Sequence, residues 1–440
     1  MKQKFYSDGL KQGPDTALIV HPVLGGADHK NARSLDCVIG EAEGLARAIA
    51  LRPLETQILK IQSVQPGAYF CKGQRAAIAD LVAAQEPDII IVNTTLSPVQ
   101  QRNLEKAWNA KVIDRTGLIL EIFGARAQTK EGRLQVDLAA LSYQKSRLVR
   151  SWTHLERQRG GAGFMGGPGE RQIEIDRRLI EQRITKLKKE LEVVRRTRDL
   201  GRKSRARVPY PVVALVGYTN AGKSTLFNAL TDAGVMAEDM PFATLDPTLR
   251  QIELPNGQKA ILSDTVGFIA DLPTHLIAAF RATLEETIHA DVIVHVIDAG
   301  RGDYTAQYDD VVGILKDLGI DYDDDPRVLE VYNKVDQVAP DRLSDLQRQS
   351  KFRDGRLFIS ALKGQGLDRL LDDATRIIAA SRRAVSYVIA YQDGKALAWL
   401  HDHGEILERN DQESGITVRV MLDEAEQAKF ESRFSYRHST

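Results

Sequence analysis

The sequence is short of the residues that mark secreted and membrane proteins. Only two cysteines, Cys37 and Cys71, occur among 440 residues. That excludes a disulfide framework or a zinc site and points to a reducing compartment. No apolar run approaches the roughly 18 residues that a membrane span needs. The opening residues, MKQKFYSDGLKQG, lack an apolar signal core. The expectation is a cytoplasmic chain. An excess of one charge is also missing, because 60 Lys and Arg balance 60 Asp and Glu. Any affinity for nucleic acid must therefore come from a local patch. Hydrophobic content of 43% and charged content of 27% are ordinary for a soluble chain. The length suits roughly two to four domains.

What is present centres on Val212–Thr225, VVALVGYTNAGKST. A short apolar run reads as a buried strand, and the chain then leaves as a helix from Lys223. Between them, Gly217-Tyr218-Thr219-Asn220-Ala221-Gly222-Lys223-Ser224 fits the phosphate-loop pattern G-x-x-x-x-G-K-[ST]. Glycines let the backbone fold around an oxyanion so that N–H groups and the helix start face phosphate. Lys223 reaches the outer phosphates, and the Ser224 hydroxyl can ligate Mg²⁺. Thr225 completes the helix start.

Further motifs follow in order. Pro241-Phe242-Ala243-Thr244-Leu245-Asp246-Pro247-Thr248 lies after the first helix. A nucleotide switch sets a threonine hydroxyl against Mg²⁺ and the γ-phosphate in such a loop, and Thr244 is the candidate. A hairpin turning at Asn256-Gly257 returns as a strand that delivers Asp264-Thr265-Val266-Gly267. The acid can hold Mg²⁺ through water, and the Gly267 N–H can sense the γ-phosphate. Asn333-Lys334-Val335-Asp336 ends a later strand. Its carboxylate can accept from guanine N1–H and N2–H₂, a pair that adenine does not offer. Asn333 can support the loop and touch the base edge, and the Lys334 stem can cover the base. Ser360-Ala361-Leu362 ends the next strand, where backbone can touch guanine O6. The constellation reads as a guanine-nucleotide switch domain with GTP or GDP as ligand and Mg²⁺ as cofactor. Phe268 stands where many GTPases carry a water-orienting Gln. No catalytic side chain is assigned, and slow intrinsic hydrolysis accelerated by a large partner is expected.

The fold class expected is α/β, with four parts. Residues 1–117 alternate strands and helices, as in a parallel sheet. Asn93-Thr94-Thr95 ends a strand there without a phosphate loop, so a scaffold or protein-binding role is expected, with a second nucleotide left open. Residues 118–200 read as a helical hairpin around the glycine-rich loop 160–169, which has six glycines in ten residues and Phe164-Met165 at its tip. From Arg171 to Arg207 there are fourteen Lys or Arg against six Asp or Glu. Pairs such as Lys186–Glu190 absorb some of that surplus; the rest is the footprint of a phosphate backbone, hence RNA. A basic linker, 201–210, leads into the nucleotide domain, 211–382, with a mostly parallel doubly wound sheet. Residues 383–440 read as a small α+β domain. His401 and His403 have no third metal ligand near them and read as surface histidines.

These residues resemble the HflX family of GTPases, within the Obg-like group of P-loop proteins. The shared stretches are GYTNAGKST at 217–225, FATLDPT at 242–248, DTVGF at 264–268, NKVD at 333–336 and SAL at 360–362. The stretches VIDRTGLILEIFGARAQTKEGRLQVDLAAL and GGPGERQIEIDRRLIEQRITKLKKELE look like the family's N-terminal region and hairpin. The resemblance implies Mg²⁺ held by Ser224 and Thr244. It also implies association with the large (50S) ribosomal subunit and its rRNA, the glycine loop reaching toward the peptidyl transferase centre. It implies splitting or rescue of ribosomes under stress; separately, the chain is expected to be a monomer. Two other readings stay open: a slow-turnover GTP-sensing adaptor and a GTPase of ribosome assembly. One departure lies in the glycine loop, where relatives carry a basic residue and this chain has Phe164-Met165-Gly166 and one residue more.

Overall fold

A computed structural model describes residues 15–25, 33–158, 168–205, 210–231, 240–244, 248–270, 287–350, 356–412 and 415–437. The expectations for Leu245, Asp246, residues 160–167 of the glycine-rich loop and linker residues 206–209 lie outside these residues.

The first sheet has the order β2-β1-β3-β4, from β1 (Thr16–Leu24), β2 (Arg52–Ile61), β3 (Ile89–Val92) and β4 (Lys111–Asp114). Every pairing is parallel. Helices α1 (Leu35–Arg47), α2 (Lys72–Gln85) and α3 (Pro98–Trp108) connect the strands. Local chemistry sets their starts. Ser97 caps α3, with Gln100 closing the capping box and Pro98 at the first turn. Asp114 ends β4 and caps α4 (Arg115–Arg126) by accepting from Gly117 N at 2.9 Å. Its other oxygen takes Leu96 N at 3.1 Å. Tyr143, on α5 (Lys130–Gln158), donates to Asp114 at 2.7 Å. One buried carboxylate thus ties the sheet to the start of the hairpin.

Helices α5 and α6 (Pro168–Arg205) pack on each other, with Lys145 paired to Glu181 across them at 3.1 Å. Helix α6 runs to Arg205, so Gly201–Arg205, expected as linker, is helical. Its helix formers (Arg202, Lys203, Arg205) outweigh the lone glycine. The part of the basic stretch from Arg171 to Arg205 is therefore a single helix.

The second sheet has six strands in the order β10-β9-β8-β5-β7-β6. These are β5 (Val212–Gly217), β6 (Thr248–Glu253), β7 (Lys259–Asp264), β8 (Val292–Asp298), β9 (Val328–Asn333) and β10 (Arg356–Phe358). All pairings are parallel except β6 with β7. Every residue of β8 is buried, as a central parallel strand requires. Its His295 is a satisfied core residue, 2.6 Å from the Tyr322 hydroxyl. Helices α7 (Lys223–Thr231), α8 (Tyr304–Asp317), α9 (Pro340–Ser350) and α10 (Leu367–Ser381) accompany the sheet.

The third sheet is antiparallel, order β11-β13-β12, from β11 (Arg382–Ile389), β12 (Glu405–Gln412) and β13 (Gly415–Asp423). Helices α11 (Gly394–His403) and α12 (Glu424–Phe434) cover one face through Trp399 and Phe430. His403 stacks on Trp399, with its Nδ1 2.9 Å from the Trp399 carbonyl oxygen. One apolar cluster joins the first sheet to the second, running from Ile19, Leu45 and Phe123 to Tyr218, Phe242, Phe268 and Ile269. The N-terminal part is packed directly on the loops that surround the phosphate-loop cleft.

Candidate nucleotide site

The ends of β5, β7, β9 and β10 converge on one cleft, as ligand sites do in open α/β sheets. Its walls include Thr219, Asn220, Gly222, Lys223, Ser224 and Thr225 from the phosphate loop. Phe242, Ala243 and Thr244 close one side, and Thr265 and Gly267 another. Asn333, Lys334, Asp336, Ala361 and Leu362 form the far end. Met240 and Gln337 also line it and were not anticipated. Each stands next to an expected motif, which is the only signal the sequence carries for them.

The glycines of the loop are sterically required. Gly222 has φ +93°, and a Cβ there would lie 2.3 Å from Asn333 Nδ2. Gly217 has φ +150°, and its Cβ would meet the Val296 carbonyl oxygen at 2.2 Å. Both close approaches bring the loop against neighbouring strands.

Lys223 is buried, and its Nζ donates to the Gly217 and Tyr218 carbonyls at 3.0 and 2.7 Å. Burial, with Lys334 nearby, lowers its pKa to about 8, against the pull of Asp264. The ammonium is held among backbone dipoles and is poised for an anion.

Three hydroxyl and carboxylate oxygens meet beside it. Ser224 Oγ donates to Asp264 Oδ2 at 2.7 Å, Thr244 Oγ1 donates to the same oxygen at 2.9 Å, and the two hydroxyls are 2.9 Å apart. The second oxygen, Asp264 Oδ1, is buried with no hydrogen-bond partner. Burial pushes this carboxyl's pKa up. A hard oxygen cluster with an unsatisfied carboxylate oxygen suits Mg²⁺, which favours one or two carboxylates plus hydroxyls, water and phosphate. Among the described residues no group of three His, Cys, Asp or Glu side chains gathers elsewhere to hold a metal.

At the far end Asn333 braces two loops. Its Nδ2 donates to the Ala221 carbonyl at 3.0 Å, and its Oδ1 accepts from Ala361 N at 3.0 Å. With both ends of the amide committed and the residue 2% exposed, Asn333 is a strut between the loops. Ser360 Oγ donates to Asp336 Oδ1 at 2.6 Å and fixes the carboxylate at the rim. Lys334 adopts φ +62° and pairs with Asp298 at 2.8 Å, which lays its stem along the cleft.

Some expected residues stand behind the walls. Gly217, Ala221, Val266 and Val335 contribute backbone to the loops, and Ser360 acts through Asp336. Tyr218 sends its side chain away from the cleft, toward the first sheet. Phe268 is 3% exposed and sits in the shared apolar cluster, with its backbone bridged to the phosphate loop.

A glycine-lined phosphate loop, a hydroxyl-carboxylate cluster and an Asp-bearing loop on one mostly parallel sheet define a P-loop GTPase. Family models match in succession: a GTP-binding GTPase N-terminal region at 37–124, a GTP-binding GTPase middle region at 126–205, a 50S ribosome-binding GTPase at 212–334 and an HflX C-terminal domain at 345–439. The chain is 47% identical over 411 residues to the GTPase HflX of Magnetococcus marinus, covering 93% of each. It is 42% identical over 355 residues to the GTPase HflX of Escherichia coli, covering 81% of this chain and 82% of that one. Among solved structures it matches the SsGBP–GDP complex at a TM-score of 0.47 and 25% identity, over 83% of this chain and 99% of that one. The chain belongs to the HflX family of GTPases; it binds guanine nucleotides and hydrolyses GTP. No helix among the described residues is long and apolar enough to cross a membrane.

Proposed function

We propose that this GTPase acts on the large ribosomal subunit and, in its GTP form, splits or rescues stalled ribosomes under stress. The carrying observation is the long α6 helix, Pro168–Arg205, which takes in most of the basic stretch and precedes the nucleotide domain in the chain. Charge of that kind recognises an RNA backbone without reading sequence. The match of residues 212–334 to a family described as a 50S ribosome-binding GTPase supports the same partner.

In this reading the phosphate-loop N–H groups and Lys223 bind the β- and γ-phosphates. Ser224 and Thr244 would hold Mg²⁺, with Asp264 acting through water, and the ion would supply positive charge beside the phosphates. Asp336 reads guanine, braced by Ser360, while Asn333 keeps its loop against Ala221. GTP orders the Thr244 loop and the Gly267 turn, and that order favours the ribosome-bound form. Phe268 orients no water, so the intrinsic rate is slow and the ribosome accelerates it.

The test is sedimentation of 70S particles with protein carrying GTP, a non-hydrolysable analogue, GDP or nothing. Co-migration with large subunits in the triphosphate forms, with loss of the 70S peak, is expected. Equal association in all four states overturns the reading. Burial of Phe268 favours a second reading, an adaptor that senses GTP and turns it over too slowly for hydrolysis to matter. Single-turnover hydrolysis with and without large subunits separates the two, because the adaptor gains no rate.

A further inference from the structure

A second cavity, of about 340 Å³, shares no wall residue with the nucleotide cleft. Its size falls at the lower end of the roughly 300–1,000 Å³ usual for small-molecule sites. It lies at the carboxyl ends of β1 and β3. With the order β2-β1-β3-β4, the chain runs outward from β1 to β2 and then crosses to β3 on the other side. In open parallel sheets that reversal leaves a crevice in which ligands bind. The two strand ends adjoin here, because Asn93 N donates to the Val20 carbonyl at 2.9 Å. His21 and Asn93 both stand in the cavity wall.

The sheet side of the cavity offers donors. Arg115 is 5% exposed and donates to Asn93 Oδ1 at 2.9 Å and to Glu41 Oε1 at 2.5 Å. Its Nε is buried with no hydrogen-bond partner. A buried guanidinium donor without an acceptor is costly unless a ligand, ion or water supplies one. With Asn93 Oδ1 committed to Arg115, the amide Nδ2 faces His21 Nδ1 at 3.2 Å. Burial and the Arg115 charge lower the His21 pKa, so the ring is neutral. Nδ1 then accepts from Asn93, and the ring proton sits on Nε2 as a further donor.

The helix side is acidic. Ala306, Asp309 and Asp310 are spaced to share one face of α8 and all line the cavity. Asp310 is paired with Arg33, which also holds Glu41 at 3.0 Å. Asp309 has no hydrogen bond or ion pair among the described residues. The walls therefore carry two guanidinium groups against three carboxylates, with His21 uncharged. A net negative lining disfavours a phosphate group. Neither β1 nor β3 is followed by a G-x-x-x-x-G-K-[ST] pattern that would cradle one.

We propose that this cavity binds a free α-amino acid, with its carboxylate held by His21 and Arg115 and its ammonium by Asp309. A purely anionic ligand would leave Asp309 without a counter-charge. A purely cationic one would leave Arg115 Nε without an acceptor. The short side chains of Ala270 and Ala306 in the same wall leave space for the ligand's own side chain. The site stands apart from guanine-nucleotide binding and does not depend on the ribosome reading.

The test uses the full chain saturated with Mg²⁺ and GDP, so that the nucleotide cleft is filled. Each protein amino acid is offered singly at about 10 mM in a thermal-unfolding screen, and the one that stabilises most is titrated by calorimetry. Binding of at least one amino acid is expected. Asp309→Asn and His21→Ala should each weaken it about tenfold or more, the loss of one charge-assisted hydrogen bond, with GDP affinity unchanged. The matching amine without the carboxylate, and the matching hydroxy acid without the ammonium, should be weaker by a similar factor. Asp309 is exposed, so Asp309→Asn keeps the fold and decides the matter if His21→Ala does not fold. The proposal is overturned if no amino acid binds, or if Asp309→Asn binds at full strength. It is also overturned if the amine or the hydroxy acid binds as well as the parent. Inorganic phosphate and ATP are titrated alongside; either one binding more tightly than every amino acid, and losing that affinity in His21→Ala, assigns the cavity to phosphate and sinks the proposal.

Discussion

Asn333 donates to the Ala221 carbonyl and so ties the Asn333–Asp336 loop to the phosphate loop, two segments 112 residues apart in sequence. The same amide accepts from Ala361, so one side chain sets the spacing between the two ends of the nucleotide cleft.

Asn333→Ala leaves both partners buried and unpaired, at a cost of about 1–3 kcal/mol each. GTP and GDP affinity should both fall, on the order of 10- to 100-fold, with no change in base preference. Fluorescent-nucleotide titration checks this; an altered preference for guanine over adenine would contradict the strut role.

Asp336→Asn replaces an acceptor-only carboxylate with an amide that also donates. Guanine then faces a donor where it needs an acceptor, whereas xanthine carries a carbonyl at C2 that suits the amide. GTP affinity should drop by a factor on the order of a hundred or more, and XTP should bind better than GTP. Competition binding with the two triphosphates reads the swap directly.

Ser224→Ala removes one hard oxygen from the cluster around Asp264. The Mg²⁺ concentration for half-maximal turnover should rise about tenfold or more, while GDP binding measured in excess chelator stays unchanged. A variant with unaltered Mg²⁺ dependence would take Ser224 out of the ion's coordination.

Lys223 carries the pH dependence. Without nucleotide its pKa is lowered to about 8, chiefly by burial. A triphosphate stabilises the charged ammonium and raises that value, so above pH 8 binding must take up a proton. GTP affinity should therefore be flat below pH 7 and weaken as pH rises through 8, approaching tenfold per pH unit. The check is Kd from pH 6.5 to 9.5, with calorimetry in buffers of different ionisation enthalpy to count the proton. Lys223→Ala should abolish binding throughout.

Local signals carried much of this protein. The β5 run, the glycines and Lys223 are contiguous, and most later motifs sit where a strand stops, so the cleft's members other than Met240 and Gln337 were readable one by one. The start of helix α3 was readable because Ser97, Pro98 and Gln100 encode it locally. Helix α9 was not, because its eleven residues hold only two leucines, Leu343 and Leu346, among polar ones. The end of α6 was misjudged because a glycine followed by basic residues reads as a linker, whereas an established helix propagates through one glycine at small cost.

By itself, the sequence determined which loops meet in one cleft, because periodicity, glycine placement and strand ends are encoded within a few residues of each motif. Tertiary structure alone decided which way Tyr218 faces and what buries Phe268. Those answers depend on partners 177 and 185 residues away, Glu41 and Arg33, which meet Tyr218 only once two separate sheets have packed together. No short stretch of sequence holds that information, since it exists only in the burial and charge pairing of the assembled interface.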